Sequence, residues 1–318
     1  MITPLLRRRA AAGVLLCCVV LVGCTSHATS KRDPAPAPLP DVTRSRSTAW
    51  PDASTTGVPA GVTLKRVPQD VTSGKGWRWR DGVVTVTSPD VVLAGLDIDG
   101  SVQSEESNLT VRDTYVRCTK EQNWCLALGE HSSVTDTEIG GGEDGKTNQR
   151  GIGLLSAGPG NVITGVNIHQ TIHGMRIDGG TIVQDSYIHD LPMGDPGFED
   201  DHTDGIMSTA GTGAVIRHNR IETGNTATLF VQWETGNEKI GSYLVEDNYF
   251  VNVTKNTQVS SEGVAIENKG IADPTQIVVR NNVFTTGWEV GPIEVPSGAI
   301  TSGNTFVDSG KAANPFYS

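Results

Sequence analysis

From residue 93 to the end of the chain one spacing recurs, in which an apolar residue is followed five places on by another. The pairs are Leu93/Ile98, Val111/Val116, Val134/Ile139, Ile163/Ile168, Val183/Ile188, Ile216/Ile221, Val245/Phe250 and Val279/Phe284, with a weaker Thr301/Phe306. Successive copies start 18 to 34 residues apart, the periodicity of a stacked repeat protein. A second short apolar stretch precedes each copy from the third onward. Gly opens most of these: Gly151-Ile152-Gly153-Leu154, Gly174-Met175-Arg176-Ile177, Gly205-Ile206-Met207-Ser208 and Gly263-Val264-Ala265-Ile266. Leu126/Leu128 and Leu229/Val231 belong to the same series. Alternation sends one set of side chains inward and the other to solvent. Each rung therefore has two or more short strands joined by turns, and rungs stack by parallel pairing.

Asn219, Asn248, Asn282 and Asn304 hold one register in four consecutive copies, three residues after the first apolar position. Asn is a common turn residue, but four in one register predict a hydrogen-bonded column that ties the turns of neighbouring rungs together. The uneven intervals require loops of different sizes to leave the core, and irregular loops on a rigid scaffold are where function tends to sit.

Composition agrees with a turning, strand-rich chain. Gly numbers 37 of 318 residues, about 12% against a usual share of roughly 7%. Formal net charge is -11. This argues against nucleic acid as a partner, because phosphate binding needs Lys and Arg. It also predicts repulsion from an acidic polymer unless a cation intervenes.

Arg7, Arg8 and Arg9 precede an apolar run, Ala10 to Val22, too short to span a bilayer comfortably. The run ends Leu21-Val22-Gly23-Cys24, which resembles a bacterial lipobox. The expectation is a lipoprotein signal peptide over 1–23, lipidation at Cys24, and a Pro/Ser/Thr-rich tether over 24–56. The body then covers 57–318, exported and anchored to the outer face of the cell membrane, as a monomer. Of the five cysteines, Cys118 and Cys125 remain in the body, and an oxidising compartment predicts a disulfide between them.

The repeat over 57–318 resembles the pectin-lyase-like superfamily. That resemblance implies an all-β fold, a single-stranded right-handed parallel β-helix with irregular loops. Gly57-Val58-Pro59-Ala60-Gly61-Val62-Thr63-Leu64 and His202-Thr203-Asp204-Gly205-Ile206 resemble stretches of secreted actinobacterial β-helix proteins. The superfamily implies a carbohydrate ligand, with lyases, hydrolases and epimerases all represented, but fold does not fix function. The motif set of polygalacturonases is not reproduced. Asp200-Asp201 and His173-Gly174 are present in the opposite order, and Glu267-Asn268-Lys269 stands in place of an Arg-x-Lys.

His169, His173, His189 and His202 fall within 34 residues. Register predicts a column Arg150, His173, Asp204 with His202 close by. An outward column reads Arg176, Met207, Phe230, and the next reads Asp178, Thr209, Gln232, Glu267, with Trp233 and Lys269 just beyond. Carboxylates and amides bond sugar hydroxyls, and an aromatic face stacks on the apolar side of a sugar ring. Asp178, Phe230, Gln232, Trp233, Glu267 and Lys269 are therefore the substrate-binding candidates, although Glu267 and Lys269 also fit a simple ion pair. His169 and His189 read as hydrogen-bonded corner residues.

Between residues 190 and 204, six of fifteen residues are carboxylates. Such a loop is either solvated or binds a cation through Asp200 and Asp201, and hard oxygen ligands favour Ca²⁺. A lyase would use His202 or His173 as base with Arg176, Arg150 or Ca²⁺ neutralising a uronic carboxylate. A hydrolase would pair Asp201 or Asp178 with Asp204. The catalytic candidates are His202, Asp204, His173, Arg176 and Asp201. Polysaccharide cleavage, with β-elimination ahead of hydrolysis, is the expected function. A non-catalytic module that binds glycan or protein is the alternative.

Overall fold

The computed structural model describes residues 49–119, 123–141, 148–191, 202–223, 226–253 and 260–318, with the backbone alone of 148–150. Each five-residue spacing turns out to encode two strands on either side of a sharp corner. Ile163 belongs to Val162–Thr164 and Ile168 to Asn167–His169, and the Gly-led stretch forms a third strand, Thr171–Ile177. Stacking these three kinds of strand gives three sheets of nine, ten and twelve strands, called here sheets 1, 2 and 3 in the order the chain visits them. Pairing between coils is parallel throughout, and an antiparallel hairpin, Trp77–Arg80 with Val83–Val86, extends sheet 3 at its start. A parallel crossover is almost always right-handed. The chain is a right-handed parallel β-helix.

The core is a set of columns. Ile163, Val183, Ile216, Val245 and Val279 stack in sheet 1, and Ile168, Ile188, Ile221, Phe250 and Phe284 stack in sheet 2; all are fully buried. Burying such a side chain contributes about 1.5–3 kcal/mol, so the repeat register is what the hydrophobic effect enforces.

The corner between sheets 1 and 2 explains the spacing of five. Two residues after the first apolar position the backbone turns left-handed, at Gly95, Asp113, Asp136, Gly165, Asp185, His218, Asp247, Asn281 and Gly303, with φ between 48° and 65°. Gly, Asn, Asp and His are the residues that tolerate this conformation best. The next residue points inward. In the later coils it is the predicted Asn column. Asn248 Oδ1 accepts from the amide and Nδ2 of Asn219, both at 3.0 Å, and Asn282 and Asn304 repeat the pattern. Each Nδ2 also donates to the preceding coil, as Asn248 does to Ile216 O at 2.8 Å. Ser186 takes over at the head of the column, its amide donating to Asn219.

The body starts earlier than Gly57. Trp50 stacks on His218 with ring centres 5.6 Å apart and packs against Tyr249 at 5.5 Å. Gly57 N then donates to Gly165 O, and Lys65 N to Gly95 O. Residues 50–65 therefore run down the corner of sheets 1 and 2, opposite to the advance of the coil. The described residues just before the expected boundary at 56 also touch the coils, through Trp50. The signal peptide and Cys24 lie outside the described residues. Cys118 and Cys125 form the predicted disulfide, with Cα atoms 5.1 Å apart.

Candidate functional site

Sheet 3 carries the site. Gly174 and Gly205 open adjacent strands there because no side chain fits at either. A Cβ on Gly174 would overlap Gly205 O and the Ile188 side chain, and one on Gly205 would overlap Thr228 O and the Ile221 side chain. This close approach fixes the residue before each glycine. Met175 pairs with Ile206, which sets His173 alongside Asp204 as the register predicted.

Arg150 does not join that column. The pairing of this strand slips between Asn148 and Ile152, so Ile152 lies opposite His173. Gly153, rather than Gly151, is the equivalent of Gly174, since a Cβ there would meet Gly174 O and Ile168. Continued backward, the column reads Asp204, His173, Ile152, Trp124.

Asp204 is wholly buried, and both its oxygens are engaged. Oδ2 accepts from His202 Nδ1 at 3.0 Å and Oδ1 from the Thr226 hydroxyl at 2.6 Å. Burial pushes its carboxyl up, but the neighbouring His173 and the hydrogen bonds from His202 and Thr226 outweigh burial and hold it at about 2. Asp204 is therefore a carboxylate at neutral pH, and His202 Nδ1 must carry the proton between them. The tautomer this imposes makes Nε2 the basic nitrogen of His202. Its side chain is 44% exposed, against 12% for His173.

His173 is set the other way round. The Asp204 amide donates to His173 Nδ1 at 3.1 Å, and the same Nδ1 lies 3.5 Å from Asp204 Oδ2. One nitrogen of a neutral imidazole cannot accept from the amide and donate to the carboxylate together. The shorter contact is the hydrogen bond, so the proton sits on His173 Nε2. The two rings are 5.1 Å apart. One Asp thus fixes a neighbouring base and a neighbouring N–H donor. Asp204, expected as a catalytic carboxylate, is buried away from the surface and lies against both histidines.

The other candidates divide. Arg176, Met207 and Phe230 stand in one outward column, as predicted. Arg176 is held by Asp178 at 2.7 Å and by the Thr209 hydroxyl at 2.7 Å, and Asp178 also accepts from the Thr209 amide. These groups brace one another more than they wait for a ligand. Glu267 accepts from Gln232 at 3.0 Å, while Lys269 lies 5.7 Å over the Trp233 ring. Glu262 continues the Asp204 column, and burial pushes its carboxyl up, with Glu294, Glu289 and Asp204 adding to it. His169 and His189 sit apart on sheet 2, bonded to Glu138 and Asn167 as corner residues. Asp200 and Asp201 lie outside the described residues.

His173, His202 and Asp204 each offer a ligand atom within 4.8 Å of the others. Two imidazoles and one carboxylate suit Zn²⁺ or Mn²⁺ better than Ca²⁺. Both carboxylate oxygens are already engaged in protein hydrogen bonds, so the donor set fits the dyad better than a metal.

Thr226 is the site residue the sequence did not disclose. It faces Asp204 across a gap of 22 residues with no repeat position of its own. Trp124 was legible, since it stands two residues before Leu126 as His173 stands two before Met175.

No protein-family model matches the chain, and no curated protein matches it in sequence. Among solved structures it is similar to pectate lyase Pel9A, at 13% identity and TM-score 0.39 over 74% of this chain and 68% of that one. It is similar to the Dettilon tailspike protein at 12% identity and TM-score 0.38, over 74% of this chain and 61% of that one. A third likeness is to DFA-IIIase from Arthrobacter chlorophenolicus A6 without its lid, at 13% identity and TM-score 0.38, over 80% of this chain and 63% of that one. The chain thus spans under two thirds of the tailspike and of the DFA-IIIase, and the likeness at these identities is one of fold.

Proposed function

We propose that the chain is an exported, lipid-anchored protein that binds a polysaccharide along sheet 3 and cleaves it by β-elimination at a uronic acid unit. The observation that carries this reading is the buried Asp204 carboxylate accepting from His202 Nδ1 at 3.0 Å. It makes His202 a general base without offering a second carboxylate for hydrolysis. His202 Nε2 takes the proton on the carbon beside the uronate carboxylate. The electron pair forms the carbon–carbon double bond as the glycosidic oxygen leaves, and His173 Nε2–H protonates that oxygen. With the two rings side by side, proton and leaving group depart from the same sugar face.

The proton is acidic enough only if the uronate carboxylate is neutralised. Arg176 is partly quenched by Asp178. Ca²⁺ is the proposed complement. The test is incubation of residues 49–318 with a panel of uronate-containing polysaccharides, with Ca²⁺ or chelator, following reducing ends and the absorbance of unsaturated uronide. The expected result is unsaturated product from one polymer that disappears in His202→Ala. Reducing ends without unsaturation would overturn β-elimination. No product from any polymer, with retention on a glycan column, would make the chain a binding module.

A further inference from the structure

A groove of about 940 Å³ opens on sheet 3 toward the start of the coil, outside the histidine pair. Its walls come from four successive strands, Val83–Val86, Ser101–Gln103, Trp124–Leu128 and Asn148–Ser156. The volume is in the range of sites that enclose a small ligand, roughly 300–1,000 Å³. Trp124 stands in the same column as His173, two strands away through Ile152. At about 4.8 Å per strand the two are about 10 Å apart. A linear polymer laid along the coil axis over His173 therefore reaches the groove within a few sugar units.

The lining has a definite chemistry. Trp124, Ala127 and Leu155 supply aromatic and apolar surface, which suits the C–H face of a sugar ring. Gln103 donates through Nε2 to Trp124 O, which ties it to the strand carrying that indole. The disulfide at Cys125 fixes the next residue along. Glu105, Glu106 and Glu130 stand around this surface, and among the described lining residues there is no Lys or Arg. Carboxylates accept hydrogen bonds from hydroxyls and repel a second carboxylate, most of all within the Debye length of roughly 8 Å at physiological salt.

We propose that this groove is a distal subsite for uncharged hexose units. The polymer that satisfies both halves of sheet 3 is then a heteropolysaccharide, with its uronic acid at the histidines and neutral sugars over Trp124. The second statement rests on the β-elimination reading, while the first does not.

The test reads binding without turnover. Residues 49–318 carrying His202→Ala are titrated by calorimetry with cellohexaose, mannohexaose and maltohexaose, and with hexagalacturonate. At least one neutral hexamer is expected to bind, Trp124→Ala to weaken it about tenfold, and Trp124→Phe to keep most of the affinity. Hexagalacturonate is expected to bind more weakly than that neutral hexamer, and Glu105→Gln with Glu130→Gln to narrow the gap. Binding of no neutral hexamer, or hexagalacturonate binding more tightly than all three, would overturn the proposal. So would neutral binding indifferent to both Trp124 variants. Failure of the elimination assay alone leaves this subsite standing, since His202 is already absent from the protein titrated.

Discussion

His202 Nδ1 and Asp204 Oδ2 meet at 3.0 Å, joining a half-exposed imidazole to a carboxylate with no access to water. The two residues are two places apart in sequence and have opposite relations to the fold. His202→Ala removes an exposed ring and one of the donors to Asp204, and is expected to abolish turnover with a smaller fall in melting midpoint than Asp204→Ala. Asp204→Ala strands the Thr226 hydroxyl and the His202 Nδ1–H. It is expected to cost about 1–3 kcal/mol of stability as well as activity. Paired thermal melts of the two variants check this, and equal midpoints would sink the distinction.

Acid reaches Asp204 late. Its folded-state value of about 2 lies below its ordinary 3.8. A depressed carboxylate contributes stability that is fully present above the unfolded value and is lost as pH falls through the folded one. The contribution is about 2 kcal/mol at ~1.4 kcal/mol per unit, lost between roughly pH 4 and pH 2. Urea midpoints from pH 5 to pH 2 are expected to fall more steeply for the natural chain than for Asp204→Asn.

His189 titrates in a higher window. Burial lowers it from the ordinary 6.5 despite its neighbour Asp190. The unfolded chain therefore takes the proton first, and this contribution is lost as pH falls below about 6.5. His189→Asn is expected to flatten the fall in stability below about pH 6.5, read from urea midpoints, without affecting glycan binding on sheet 3.

Asn248 links three coils. It accepts from Asn219 and donates to Ile216 O, Glu246 O and Asn282 Oδ1. Asn248→Ala leaves several buried groups without partners, at about 2–4 kcal/mol. A clearly lower denaturant midpoint is the expected outcome, and an unchanged one would show that the column is not needed.

The corner residues separate backbone from side-chain effects. Asn281 has φ of 56°. Asn281→Gly is expected to be nearly neutral and Asn281→Val to cost about 1–2 kcal/mol, because only the β-branched side chain resists that conformation. Equal losses would mean that the Asn side chain matters more than its backbone.

Ile163 and Ile168 show why the architecture was legible. Five residues is the shortest route from one sheet to the next through a left-handed corner, so apolar spacing alone exposed both sheets. Arg150 shows where register fails. Gly151 and Gly153 fit the strand-opening pattern equally well, and only the contact between Gly153 and Gly174 O tells them apart. Arg176 and Asp178 look like two free groove ligands because alternation places both outward. Residues two apart on one face are also neighbours, and here they bond each other. The burial of Asp204 could not be read from its residue type, since an outer-loop carboxylate and a buried one look alike until Thr226 closes over it.

Trp50 sits against His218 and Tyr249, which the chain reaches 168 and 199 residues later. That contact has no surface to form on until six or seven coils exist, and contacts of long sequence separation form late in folding. Trp50 thus has its docking surface only on a coil that has already grown past His218. A chain halted short of that point keeps its front segment loose, and a protease given access to residues 49–57 would cleave unfinished molecules and spare finished ones.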